Sequence, residues 1–90
     1  MTRHLIILVS GKVQGVFYRA STVEKANELD LKGFAQNLPD GRVLIEAEGD
    51  SVSLQKLIEW CKNGPPRAVV TNVQVMEGAL KNYRDFSVSR

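Results

Sequence analysis

Cysteine and histidine each occur once in this 90-residue chain, and proline three times. The lone Cys61 excludes an intramolecular disulfide framework, and with His4 as the only histidine there is no ligand cluster for a zinc site. A reducing cytosol is the compartment this cysteine usage fits. Long apolar runs are missing too: Leu5 to Val9 gives five residues before Ser10, Gly11 and Lys12. That is too short for the core of a secretory leader and far too short to span a membrane. Charge of one sign is not concentrated anywhere, since twelve basic and ten acidic residues leave a net +2 scattered along the chain. Nothing in that balance calls for a nucleic acid or another polyanion. Neither GxGxxG nor the Walker phosphate loop occurs, because Gly15 is followed by Val16 and Phe17 rather than by Lys-Ser or Lys-Thr.

What is present is ordinary for a folded domain: 43% apolar and 24% charged residues. At this length residues 1–90 are expected to form one domain around one modest core. Leu5 to Val9 reads as a buried strand. Ser21 and Glu24 resemble a capping box for a first helix, with Ala20, Val23 and Ala26 sharing its buried face up to about Asp30. Phe34 to Asn37 is extended, and "LPDG", Leu38 to Gly41, is a tight turn. Val43, Ile45 and Ala47 alternate with Leu44, Glu46 and Glu48 in a strand whose glutamates are expected on a solvated face. Asp50 or Ser51 caps a second helix carrying Leu54, Leu57, Ile58 and Cys61 along one stripe, with Trp60 at its edge, and "NGPP", Asn63 to Pro66, ends it. Val69 to Met76 is a further strand, Glu77 to Asp85 a surface loop, and Phe86 and Val88 mark a short last strand. His4 reads as a strand-end residue.

The order β, α, β, β, α, β plus a terminal strand is the ferredoxin-like α+β pattern, an antiparallel sheet with both helices on one face. In it the first two strands run parallel with the third between them, so their C-terminal ends lie about 10 Å apart on one sheet edge. Gly11 to Arg19 and Asn37 then face a common space, into which the first helix points its unpaired N–H groups. A glycine-containing loop entering a helix can bind phosphate with backbone N–H groups, and Arg19 adds a charged fork matched to two phosphate oxygens. Asn37 can hold a water by its amide. Phosphoryl transfer requires mainly positioning and charge stabilisation, so a site without His, Cys or a carboxylate nucleophile suffices. From spacing alone, Gly11 and Gly15 read first as turn glycines, and Asn37 reads first as a turn-opening residue. A competing reading is RNA binding on the same fold class. "KGFA", Lys32 to Ala35, matches the opening of an RNP1 motif, but Gln36 stands where an aromatic is required and the segment is the second strand, not the third.

The chain resembles the acylphosphatase family. "VSGKVQGVFYR", Val9 to Arg19, is similar to that family's first signature, an apolar residue and one variable residue before G-x-V-Q-G-V-x-F-R, with Tyr18 where phenylalanine is usual. "GFAQNLPDGRV", Gly33 to Val43, with Gly49 beyond it, resembles the second. "GPPRAVV", Gly64 to Val70, and the terminal "FSV" resemble later blocks, so the likeness spans nearly the whole chain.

That resemblance implies hydrolysis of the carboxyl–phosphate bond of acyl phosphates, giving a carboxylate and inorganic phosphate, the latter also an inhibitor. It implies that Arg19 and the loop Gln14, Gly15, Val16, Phe17 and Tyr18 hold the phosphate, and that Asn37 orients the attacking water. No metal, organic cofactor or covalent intermediate is implied, and the substrate itself can assist proton removal. The expectation is a small cytosolic acylphosphatase, active as a monomer, with an open site tolerant of different acyl groups. The alternatives are a non-catalytic phosphate-binding domain of the same family and the RNA-binding module.

Overall fold

The computed structural model describes residues 1–89. The elements in chain order are β1 (Thr2–Lys12), α1 (Tyr18–Glu28), β2 (Lys32–Asn37), β3 (Val43–Asp50), α2 (Ser51–Cys61), β4 (Val69–Gly78) and β5 (Phe86–Ser89). The five strands form one sheet in the order β4-β1-β3-β2-β5. β3 is antiparallel to both β1 and β2, and β4 is antiparallel to β1, as the ferredoxin-like pattern requires. β5 pairs parallel to β2, so the fifth strand makes the sheet mixed.

Alternation along the strands assigns the faces. Leu5, Ile7 and Val9 of β1, Ala35 of β2, and Val43, Ile45 and Ala47 of β3 are all buried in one core with Leu54, Leu57 and Cys61 of α2 and Tyr18 and Ala26 of α1. Both helices therefore pack on the same face. β1 and β4 lose their regular register between Ser10 and Gly11. Gly11 has φ 121°, and a Cβ there would strike the Val69 carbonyl oxygen, so only glycine allows the two backbones to approach at this bulge.

α2 follows its sequence signals. Asp50 is the N-cap, its carboxylate accepting from Ser53 N at 2.9 Å, and Gly64 N donates to Trp60 O at 2.8 Å beyond the other end. The start of α1 does not. Ser21 and Glu24 do not form the expected cap, because the helix already begins at Tyr18 and Ser21 N donates to Phe17 O at 3.0 Å. Phe17 is the N-cap residue, in the left-handed region at φ 63°, with no side-chain cap. Burial of Tyr18 resets the helical face: Tyr18, Thr22 and Ala26 point inward, Val23 is partly buried, and Ala20 is exposed.

Tyr18 is also where the hydroxyl absent from phenylalanine matters. Its OH donates to the Cys61 carbonyl at 2.7 Å, satisfying one of the carbonyls that the end of α2 leaves unpaired. Its ring packs against Trp60 with centroids 5.5 Å apart. Burial pushes the phenol pKa up, with the neighbouring Cys61 adding to the effect, and burial pushes the Cys61 thiol up to about 12.

The face without helices holds the largest departure from expectation. His4, Glu46 and Glu48 are not a strand end and a solvated row. His4 and Glu48 are buried, and the His4 ring nitrogens lie 2.6 Å from Glu48 Oε2 and 2.8 Å from Glu46 Oε1. Residues 79–85 are more than a surface loop. They cross this face, and the backbone N–H groups of Lys81 and Tyr83 donate to the two Glu48 oxygens at 2.6 and 3.2 Å. Tyr83 packs over His4 and edge-on to Phe34, at 5.9 Å in each case. Burial alone would push the Glu48 carboxyl up. The Lys81 N–H, the His4 ring and the Tyr83 N–H together outweigh burial and hold it below the usual range.

Two stability measurements test these contacts. Tyr18→Phe strands a buried carbonyl and is expected to cost about 1–2 kcal/mol in urea denaturation. An unchanged midpoint would show that the bond contributes nothing. For Glu48, a lowered folded-state pKa means that its stabilisation is present above the ordinary value of 4.5 and is lost as pH falls through the lower folded value. Glu48→Gln is expected to lose about 2 kcal/mol at pH 7. The deficit should shrink below the ordinary value, since the other carboxylates are common to both proteins. A pH-independent difference would contradict the assignment.

Candidate functional site

The loop between β1 and α1 alternates its side chains between core and solvent. Val13 and Val16 are buried, Gly15 is exposed, Phe17 is 76% exposed, and Tyr18 is buried again. Gly15 sits at φ 75° and Phe17 at φ 63°. Two left-handed residues so close together curl the backbone, and at Phe17 the conformation is costly for a bulky side chain, by about 1 kcal/mol or more. The buried Val16 and Tyr18 on either side hold it there. Among the described residues the backbone N–H groups of Gln14, Gly15, Val16 and Phe17 donate to no acceptor. The first turn of α1 follows directly, with its own unpaired N–H groups and positive dipole end.

Asn37 is the last residue of β2, and the pairing of β3 with both neighbours puts it level with Val9. The 38–42 turn beyond it is closed by Leu38 N to Arg42 O at 2.8 Å and by Asp40, which accepts from Arg42 N at 3.1 Å. Gln14 ties the two walls together. Its side-chain amide donates to Leu38 O at 2.8 Å and to Arg42 O at 2.9 Å, so the loop after β1 is fastened to the turn after β2.

Between these walls lies a cavity of about 330 Å³ lined by Val13, Gly15, Phe17, Tyr18, Arg19, Ala20, Asn37 and Val88. The structure thus brings Gly15, Phe17, Tyr18, Arg19 and Asn37 to one space, as the topology required. It places Gln14 and Val16 differently: the first has its side chain in the clamp and the second has its side chain in the core. Val13, Ala20 and Val88 are the additions. Val88 reaches the site because β5 pairs with β2, with Val88 opposite Ala35. Its alternation with serines identified a strand but carried no signal for where that strand would dock.

Arg19 makes no salt bridge or hydrogen bond with another side chain among the described residues, although Arg3 and Arg42 are both paired with carboxylates. The Asn37 side chain likewise has no hydrogen-bond partner among them. A half-exposed guanidinium beside free backbone N–H groups is suited to an anion with several oxygens, and phosphate is such an anion. Among the described residues no group of three His, Cys, Asp or Glu side chains could hold a metal ion. No helix among them is long and apolar enough to cross a membrane.

Known proteins share the whole of this frame. The acylphosphatase family model matches residues 5–88. The chain is similar to the acylphosphatase of Marinobacter nauticus, at 58% identity over 81 residues, covering 89% of this chain and 88% of that one. Its structure superposes on an acylphosphatase from Coxiella burnetii with a TM-score of 0.95 at 44% identity, covering 98% of this chain and 93% of that one. An acylphosphatase from Bacillus subtilis gives the same TM-score at 38% identity, with both chains fully covered. With sequence and fold in agreement over nearly every residue, the chain belongs to the acylphosphatase family.

Proposed function

We propose that this enzyme hydrolyses acyl phosphates by direct attack of an Asn37-held water on a phosphoryl group cradled by the loop Gln14 to Tyr18 and by Arg19. The observation that carries the reading is the cavity itself. It sets a guanidinium and a curl of N–H groups, none with a hydrogen-bond partner among the described residues, opposite an amide that likewise has none among them. The water oxygen forms the new bond to phosphorus while the bond from phosphorus to the acyl oxygen breaks, and the carboxylate leaves with the electron pair. A carboxylate is a stable leaving group at neutral pH and needs no general acid. The water proton passes to a substrate oxygen, so no protein base is required.

Charge in such a transition state is spread over the three equatorial oxygens. Donors fixed before the substrate arrives stabilise it without reorganising. Gln14 maintains that geometry by holding the loop at a set distance from Asn37. The product phosphate keeps the same contacts, which accounts for its expected inhibition. All of these groups come from one chain, which supports a monomer as the active form, and the buried free thiol of Cys61 fits a cytosolic enzyme.

Purified protein with benzoyl phosphate in the presence of a chelator is expected to release phosphate. Failure to do so would leave a non-catalytic phosphate-binding domain. Arg19→Gln is expected to lower kcat/KM by about a hundredfold or more, roughly 3 kcal/mol of transition-state stabilisation, and near-normal turnover would remove its role. Asn37→Ala should lower kcat while leaving the inhibition constant for phosphate nearly unchanged, because the amide positions water rather than phosphate. A parallel loss of phosphate affinity would reassign Asn37 to binding.

A further inference from the structure

Building on acyl phosphate hydrolysis at this site, we propose that the Phe17 side chain, flanked by Val88, forms an apolar wall that receives the acyl group and favours aromatic over small acyl phosphates. The phosphoryl group occupies the polar part of the cavity, at Arg19, Asn37 and the loop N–H groups. The acyl group, one oxygen away, must lie along what remains of the lining.

That remainder is almost wholly apolar: Val13, Phe17, Tyr18, Ala20 and Val88, with Gly15 offering no side chain. Val13 and the Tyr18 ring are each only 1% exposed and already spend their surface on the core, and the Tyr18 hydroxyl is committed to Cys61. Ala20 carries a single methyl. Phe17, at 76% exposed, and Val88, at 37%, are the large apolar side chains with surface left to give.

Phe17 is not drawn to its position by burial. It appears in no aromatic pair among the described residues, whereas Tyr18 and Phe34 both do. It holds a left-handed backbone that asparagine or glycine would adopt more easily. An isolated exposed aromatic would need no explanation. A strained one at the mouth of a cavity that also holds Arg19 and Asn37 has a use there, because covering its ring with an apolar group removes area from water on both partners. The cavity volume lies within the range of small-molecule sites. The wall is open on its outer side, so the selection is graded and small acyl groups are still accepted.

The test is the ratio of kcat/KM for benzoyl phosphate to that for acetyl phosphate, measured in the wild type and in Phe17→Ala, Phe17→Tyr and Val88→Ser. The wild-type ratio is expected to be well above one. Phe17→Ala should lower it about tenfold, chiefly through KM for benzoyl phosphate, as expected for loss of one face of an apolar subsite. Phe17→Tyr, which keeps the ring, should stay within about twofold of the wild type, and Val88→Ser should fall between. A ratio unchanged in Phe17→Ala, with both substrates still hydrolysed, would overturn the wall while leaving the activity intact. A fall reproduced by Phe17→Tyr would also overturn it, because it would place the effect in the loop backbone. Failure of the wild type on both substrates would instead remove the activity, and the wall with it.

Discussion

Everything in the site depends on one strand being held between two others. Val43 pairs with Val9 on one side and with Asn37 on the other. With neighbouring strands about 4.8 Å apart, that double pairing fixes the end of β2 roughly 10 Å from the end of β1. The proposed phosphoryl site lies in that gap, with Arg19 and the loop on one side and Asn37 on the other. A slip of one residue in either ladder would turn Asn37 to the opposite face of the sheet. The fully buried Val43, Ile45 and Ala47 make such a slip costly, so the core sets the spacing of the two cavity walls.

The second requirement is a loop that keeps an unfavourable shape without a ligand to enforce it. Val16 and Tyr18 are anchored in the core on either side of Phe17, and the Tyr18 hydroxyl reaches through to the last carbonyl of α2. The strain at Phe17 is therefore borne by contacts between the two helices. Gln14 adds the lateral tie to the 38–42 turn. A loop restrained from below and from the side is held in one shape, and the proposed stabilisation of a transition state relies on donors fixed in that way.

Legibility in the sequence followed the range of the interactions. The cap at Asp50 or Ser51 and the stop at Asn63-Gly64 are local signals; α2 follows both, with Asp50 as the cap. The meeting of Arg19 with Asn37 is long-range, yet it follows from strand order alone, which the alternation of apolar residues revealed. The start of α1 misled because Ser21 and Glu24 have the right chemistry for a cap, while the actual start is set by Tyr18 being drawn into the core. Glu46 and Glu48 misled for a similar reason. Their partners are His4, 44 positions from Glu48, the backbone of residues 81 and 83, and the Tyr83 hydroxyl, which no pattern along β3 can announce. Val88 entered the site through the docking of β5 beside β2, a choice made by the sheet edge.

The strand order has one further effect, on the segment that crosses the open face. β4 and β5 are the two edges of the sheet, so the chain from Gly78 to Phe86 spans four inter-strand steps, about 19 Å. Eight residue steps can reach at most about 28 Å, and part of that length is used in passing over His4, on which Tyr83 of the segment packs. The connection works as a strap with limited slack, its middle pinned by Glu48. Insertions can bulge outward into solvent, but removing three residues would leave a reach of about 18 Å, short of the span, and would pull β5 off β2 and take Val88 away from the cavity. A segment with no residue in the site thus sets a minimum chain length for the site to be complete.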